Sequence, residues 1–134
     1  MPHLTIEYSA NLESRVTIAD VVAAIHQAAI ETGLFPIGGI RTRAVRRDHY
    51  VIADGDPDNA FVHLVARIGH GRDEEARRQI TDRLFGALCD VLDEAFSASP
   101  LAVSFDLEEM NPRFSRRKNN LHDRLRNGAK GSST

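Results

Sequence analysis

Hydrophobic positions at the start of the chain predict a strand followed by a helix. Leu4 and Ile6 alternate with polar neighbours, which is the pattern of a strand with one buried face. Thr17 begins a helical segment that Gly33 ends, and Pro36 prevents the helix from resuming. The apolar face of this helix is formed by Ile18, Val21, Val22, Ile25 and Ala29.

The rest of the chain completes this unit and then repeats it. Residues 40–45 predict a second strand, which residues 49–53 continue or pair with before a turn over residues 54–58. An apolar strand over residues 61–68, a long helix and a strand over residues 101–105 follow. The apolar stripe of the long helix is formed by Ile80, Leu84, Leu88, Val91, Leu92 and Ala95.

This order predicts an α+β fold built as a tandem β-α-β pseudo-repeat. Each strand–helix–strand unit is long enough for a right-handed crossover between parallel strands. Two units side by side give a four-stranded mixed sheet with both helices on one face. The strands are apolar enough that we expect the uncovered sheet face to be buried against other subunits.

The boundaries of the units follow from the same pattern. We expect a single domain over residues 1–126, with unit one at about 2–55 and unit two at about 60–110. A polar, basic segment over residues 111–126 is predicted to lie at a subunit interface. Residues 127–134 are predicted to form a disordered tail.

Composition excludes several classes of protein. The 134 residues carry a formal net charge of -2, which gives no global basic field for binding nucleic acid. The single cysteine, Cys89, excludes an internal disulfide framework and is predicted to be a small core residue. The histidines show no metal-ligand spacing with one another or with Cys89, so no metal site is expected. With no signal peptide and no apolar run long enough to span a membrane, we expect a cytoplasmic protein.

Pro2 is the residue that most clearly indicates a chemical role. Methionine aminopeptidase normally removes Met1 ahead of proline, which leaves a free secondary amine at the terminus. Burial and nearby cations disfavour the protonated amine, so both would lower its pKa and allow it to act as a base. Alternatively, Pro2 is only a tolerated second residue.

Several short segments, in order, resemble the tautomerase superfamily. They are Met-Pro-His at 1–3, Thr-Gly-Leu-Phe-Pro at 32–36, Gly-Ile-Arg-Thr-Arg at 39–43, Ile-Gly-His-Gly-Arg at 68–72 and Lys-Asn-Asn-Leu-His at 118–122. Within the superfamily, the chain is most similar to the 5-carboxymethyl-2-hydroxymuconate isomerase family, a branch with two fused units. The resemblance implies a homotrimeric, cofactor-independent isomerase of aromatic (homoprotocatechuate) degradation that moves a proton in a carboxylated 2-hydroxymuconate.

The resemblance also implies the residues of the site. Pro2 would be the catalytic base, and Arg41, Arg72 and Arg43 would bind the carboxylates of the dienol substrate. The residues themselves leave alternatives open: Arg72 could be a solvated loop arginine paired with a following glutamate. Arg41 and Arg43 share one face of a strand, which could simply be exposed.

Two other functions remain open from the sequence. A dehalogenase or hydratase of unsaturated acids would use the same fold with a protonated proline, and Glu7 is the obvious carboxylate to activate water. The basic segment from Arg113 could instead bind nucleic acid, although only Phe114 supplies an aromatic side chain there.

Overall fold

The computed structural model describes the backbone of residues 1–132 and the side chains of residues 1–127. The elements are β1 (His3–Ser9), a 3-10 helix (Ala10–Ser14), α1 (Ile18–Glu31), a 3-10 turn (Ile37–Gly39), β2 (Arg41–Arg47), β3 (Ala60–Ile68), α2 (Glu74–Val91), α3 (Asp93–Ala98), β4 (Leu101–Glu109) and α4 (Leu121–Ser132).

The sheet has the predicted two-unit topology. Its strand order is β2-β1-β3-β4, with β1 parallel to β2 and β3 parallel to β4. The two units meet at the central pair, where β1 and β3 run antiparallel. The α+β fold with a four-stranded mixed sheet is therefore confirmed.

One face of the sheet packs against α1 and α2 to form the core. Alternation places Leu4 and Ile6 of β1 beside Leu64 of β3 on this face, each with at most 1% of its surface exposed. The helices contribute stripes at helical spacing, among them Ile25 from α1 and Leu84 from α2. Burying each such side chain stabilises the fold by about 1.5–3 kcal/mol relative to leaving it exposed.

The opposite face of the sheet is mostly polar, so the predicted apolar face is wrong. The residues that alternate with the core positions include Thr5, Glu7, His63, Arg67, Ser104 and Asp106. Glu7 forms an ion pair with Arg47 at 2.7 Å, and the Nδ1 atom of His63 lies 2.6 Å from the hydroxyl of Ser104. Apolar side chains on this face are few, among them Phe61 and Val65 of β3, so hydrophobic burial gives only a small reason for this face to be covered.

The connection after β2 differs from the sequence prediction. Residues 49–53 do not form a strand; they begin a series of turns that reaches β3. The side-chain amide of Asn59 donates to the carbonyl of Ile52 and to the carboxylate of Asp54. Because these local bonds satisfy the turn, the segment does not pair with the edge of the sheet.

Two predictions for the second unit are also wrong. The long helix is interrupted at Leu92, which separates α2 from α3. Cys89 is exposed and not part of the core, because the buried stripe of α2 runs through Leu84 and Leu88 instead.

The chain after β4 returns to the N-terminal region of the same molecule. The amide of Asn119 donates to the carbonyl of Gly38 at 3.0 Å, and the His122 ring also lies against Gly38. Asn119, expected at a subunit interface, thus makes an intrachain contact. The backbone of α4 continues to Ser132, where a tail was expected from residue 127; Ser133 and Thr134 lie outside the described residues.

Candidate active site

Pro2 is buried at the start of β1, against the turn that precedes β2. Its carbonyl accepts a hydrogen bond from the backbone amide of Arg41 at 3.1 Å. A Cβ atom on Gly39 would lie 3.7 Å from Cδ of Pro2. Gly39 therefore lies beside the pyrrolidine ring, at a distance where a methyl group on Gly39 would just make van der Waals contact with it.

Two cavities flank the N-terminus. The larger has a volume of about 640 Å³ and the smaller about 370 Å³, so each is within the size range of small-molecule sites. Met1, Pro36 and Arg117 line both of them. Removal of Met1 would therefore enlarge the space in front of Pro2.

Arg72 contributes a cation from the second unit. Its guanidinium donates to the carbonyls of Leu34 at 2.9 Å and Gly69 at 3.3 Å, and it lies over the Phe35 ring. The side chain is half-buried and lines the larger cavity. These contacts contradict the alternative of a solvated loop arginine paired with a following glutamate.

Arg41 contributes a cation from the first unit. Its Nη1 atom donates to the carbonyl of Gly39 at 2.8 Å and, more weakly, to that of Gly38 at 3.4 Å. Through residue 127, no carboxylate lies within 4 Å of the guanidinium of either Arg41 or Arg72. Both cations are therefore held by neutral carbonyls and keep donors for an anionic ligand.

Arg43 does not lie beside the N-terminus with Arg41 and Arg72. It is exposed on the open sheet face, and its Nη1 atom lies 3.0 Å from Nδ1 of His3. Burial, followed by the charges of Arg43 and Arg41, lowers the pKa of His3. His3 lines the larger cavity, so Arg43 lies one side chain away from it.

The electrostatic environment of the terminus disfavours a positive charge. In this structure the terminal amine belongs to Met1, and burial is the largest influence on it. Burial, together with the charges of Arg117, Arg72 and Arg41, lowers the pKa of this amine from its ordinary value of 8.0. In this structure the nitrogen of Pro2 is part of the Met1–Pro2 peptide bond, one residue along the chain from that amine.

Arg117 is a site residue that the sequence analysis did not identify, and its neighbour Arg116 also lines the larger cavity. Arg117 belongs to the basic segment after β4 and lines both cavities. The only sequence signal was the run Arg116-Arg117-Lys118, which indicates positive charge but no position in the fold.

The site contains no evident place for a metal ion. Within the part of the chain whose side chains are described, no three histidine, cysteine, aspartate or glutamate residues are grouped to hold one. In the same part of the chain, none of the helices is long and apolar enough to cross a membrane.

Comparison with known proteins gives a consistent result. The family model of 5-carboxymethyl-2-hydroxymuconate isomerase matches residues 2–125. A 5-carboxymethyl-2-hydroxymuconate Delta-isomerase from Escherichia coli is 34% identical over 122 residues, which cover 91% of this chain and 97% of that protein.

Solved structures show the same relationship. A 5-carboxymethyl-2-hydroxymuconate isomerase from Deinococcus radiodurans R1 is 37% identical, with a TM-score of 0.86 over 92% of this chain and 93% of that one. A fused 4-OT described as a symmetric trimer is 16% identical, with a TM-score of 0.64 over 87% of this chain and 92% of that one. The latter likeness shows the tautomerase fold alone.

Proposed function

We propose a function from one established premise: the chain belongs to the 5-carboxymethyl-2-hydroxymuconate isomerase family. It catalyses the cofactor-independent isomerisation of 5-carboxymethyl-2-hydroxymuconate, a dienol, to the unsaturated ketone, as a step of aromatic degradation. The observation that carries this proposal is the position of the N-terminus among three arginines, Arg41, Arg72 and Arg117.

The amine of Pro2 acts as the base in this reaction. It takes the proton from the 2-hydroxyl of the dienol, which leaves a dienolate with charge spread from the oxygen to the far end of the diene. The resulting prolyl ammonium returns the proton to that carbon, C5, and the ketone forms without any change in oxidation state. The lowered pKa of the Met1 amine supports this role, because the same burial and cations would act on a Pro2 amine released by removal of Met1. A base must be unprotonated at neutral pH to accept the proton.

The arginines bind the anionic substrate and stabilise the dienolate. Arg72 and Arg41 hold carboxylates through charge-assisted hydrogen bonds, since each is fixed by carbonyls that do not neutralise its charge. Arg43 acts from farther away by holding His3 beside the cavity. Binding of its carboxylates fixes the planar dienol in front of Pro2. This lowers the entropic cost of reaching a reactive geometry.

We further propose a homotrimer in the cytoplasm, where Met1 is removed. The fused 4-OT with the same fold is described as a symmetric trimer. Both edge strands, β2 and β4, have only one strand neighbour within the described chain, so each leaves backbone groups for another subunit. Sedimentation equilibrium should give three times the 14.8 kDa mass of the chain; a stable, active monomer would contradict this assembly.

The dehalogenase or hydratase alternative is less well supported. Glu7, its candidate for activating water, lies on the open sheet face and pairs with Arg47 at 2.7 Å. The basic segment is likewise folded back onto the N-terminal region by Asn119, and not extended as a separate nucleic-acid-binding arm.

A direct assay tests the proposed function. The purified chain, with removal of Met1 verified by intact mass, is mixed with 5-carboxymethyl-2-hydroxymuconate, and loss of the dienol absorbance is followed. Pro2→Ala serves as the test variant, and 3-chloroacrylate as the test of dehalogenation. We expect rapid isomerisation by the native chain, a loss of most of kcat in Pro2→Ala and no halide release; halide release without isomerisation would overturn the proposal.

A further inference from the structure

We propose that Arg117 forms a separate subsite for the third carboxylate of the substrate, and so selects tricarboxylates over dicarboxylates. This inference rests on the proposed function, because it concerns the substrate of the same site. The muconate skeleton carries two carboxylates and the carboxymethyl substituent adds a third. The site has three arginines around the terminus, one of which lies outside the two repeated units.

The position of Arg117 supports a binding role. It is one of the residues that line both cavities beside the N-terminus, so its side chain lies at the edge common to them. Among the charges that lower the pKa of the Met1 amine, Arg117 has a larger effect than Arg72 or Arg41. Because Met1 and Arg117 line the same two cavities, a ligand in either cavity meets both the terminus and this cation.

Among the side chains of residues 1–127, Arg117 has no partner that would neutralise its charge. Counting only side chains up to residue 127, no carboxylate lies within 4 Å of its guanidinium and no hydrogen bond to it is formed. Its neighbour Arg116 differs, because its Nη1 atom donates to the carbonyls of Arg113 and Ser115. The two adjacent arginines thus differ in two ways. Arg116 lines only the larger cavity and its Nη1 atom is held by two carbonyls, whereas Arg117 lines both cavities and keeps all its donors for an anion.

The backbone around Arg117 is fixed on both sides. Upstream, the amides of Phe114 and Ser115 donate to the carbonyl of Asn111 and close a turn. Downstream, the side chain of Asn119 donates to the carbonyl of Gly38 while accepting from the amide of Leu121 at the start of α4. These two anchors place the intervening arginine beside the cavity, so it needs no large rearrangement to meet a ligand.

The three cations come from three separate parts of the chain. Arg41 begins β2 of the first unit, Arg72 precedes α2 of the second, and Arg117 belongs to the segment that follows both. A substrate with two carboxylates can be held by Arg41 and Arg72 alone. The third carboxylate is then the group left for Arg117, which makes the segment after β4 the part of the chain that determines specificity.

The test compares two acids that differ by one carboxylate. Binding of tricarballylate (three carboxylates) and glutarate (two) is measured by NMR titration on the native chain, Arg117→Ala, Arg117→Lys and the control Arg124→Ala. Arg124 is exposed on α4 and lines neither cavity. We expect the native chain to prefer tricarballylate and Arg117→Ala to lose about tenfold in affinity for it, the scale of one charge-assisted hydrogen bond.

The same variant should leave glutarate binding nearly unchanged, Arg117→Lys should retain part of the preference, and Arg124→Ala should retain all of it. Equal losses for both acids, or no loss for either, would overturn the inference. Because binding is measured without turnover, this result is independent of the isomerase assay. Turnover gives the second readout: for 5-carboxymethyl-2-hydroxymuconate, Arg117→Ala should raise KM with little change in kcat.

Discussion

The guanidinium of Arg72 lies over the ring of Phe35, with Cζ 4.7 Å from the ring centroid. The same guanidinium donates to the carbonyl of Leu34, the residue before Phe35. The arginine of the second unit is therefore held by the residues that follow the helix of the first. This contact joins the two units at the N-terminal site, and it orients a charged group without neutralising it.

We predict that Arg72→Ala lowers kcat/KM for 5-carboxymethyl-2-hydroxymuconate by more than tenfold, since it removes a charge-assisted hydrogen bond of about 1.5–3 kcal/mol. Arg72→Lys should recover only part of this loss, because an ammonium neither stacks on Phe35 nor forms two parallel bonds to a carboxylate. Steady-state kinetics measure the effect. Arg78→Ala is the matched control, since Arg78 is exposed on α2 and pairs with Glu74; equal kinetics in Arg72→Ala and Arg78→Ala would remove Arg72 from the site.

We predict different effects for the two arginines of β2. Arg41→Ala should lower kcat/KM by about tenfold or more, because its guanidinium lies on the turn against which Pro2 packs. Arg43→Ala should have a smaller effect, since it acts on the cavity only through His3. The two variants are compared with the native chain on the same substrate. A larger loss in Arg43→Ala than in Arg41→Ala would contradict this assignment.

We predict that Tyr8 stabilises the fold in a pH-dependent way. Its hydroxyl donates to the Glu13 carboxylate at 2.7 Å, and burial, together with this bond, raises the pKa of Tyr8 from 10.0 to about 12. The unfolded chain therefore ionises this phenol first, so its contribution is complete below pH 10 and is lost as pH rises toward 12. Tyr8→Phe should lower the free energy of unfolding by about 1 kcal/mol at pH 8 in urea.

Repeating the unfolding measurements at alkaline pH distinguishes the contribution of the hydrogen bond from that of packing by the aromatic ring. Between pH 10 and 12 the native chain should lose stability more steeply than Tyr8→Phe, which has no phenol at this position to ionise. Equal slopes in the two proteins would contradict the role of the Tyr8–Glu13 bond.

We predict that Gly38→Ala loosens the segment after β4 from the N-terminal region. A Cβ atom at position 38 would lie 2.6 Å from Nδ1 of His122, so the ring must move away. Hydrogen exchange at residues 119–125 should become faster. Gly86→Ala on α2 is the control, since nothing lies within 4 Å of its added Cβ. Unchanged exchange in Gly38→Ala would show that this contact does not hold the segment.

The sequence could predict the fold because the hydrophobic patterns of its strands and helices are local, and because the strand–helix–strand order occurs twice. Alternation at Leu4 and Ile6, together with helical stripes such as that through Ile80 and Leu84, determines the strands, the helices and the two-unit order. The overall apolar content of residues 61–68 predicts a strand that is apolar on both faces, and it does not reveal the polarity of the open sheet face. The alternation of this strand separates the buried Val62 and Leu64 from His63 and Arg67 on the other face.

The site could be predicted only in part, because sequence patterns are local and some of its residues are brought together by contacts distant in sequence. Pro2, Arg41 and Arg72 lie in short segments whose resemblance to a family indicates their roles. Arg117 reaches the site because the chain turns back after β4 and is anchored at Gly38 by Asn119, 81 positions away in sequence. No local pattern encodes such a contact.

The central claim is that the free amine of Pro2 is the base, and its titration tests this most directly. The ¹⁵N resonance of the Pro2 nitrogen in the processed chain is followed against pH by NMR. Because burial and the charges of Arg117, Arg72 and Arg41 disfavour a positive charge at the terminus, we expect a pKa well below that of an ordinary secondary prolyl amine. The pH dependence of kcat/KM should rise with the same midpoint. A pKa at or above the ordinary value, or a Pro2 nitrogen still bonded to Met1 in the active enzyme, would contradict the account.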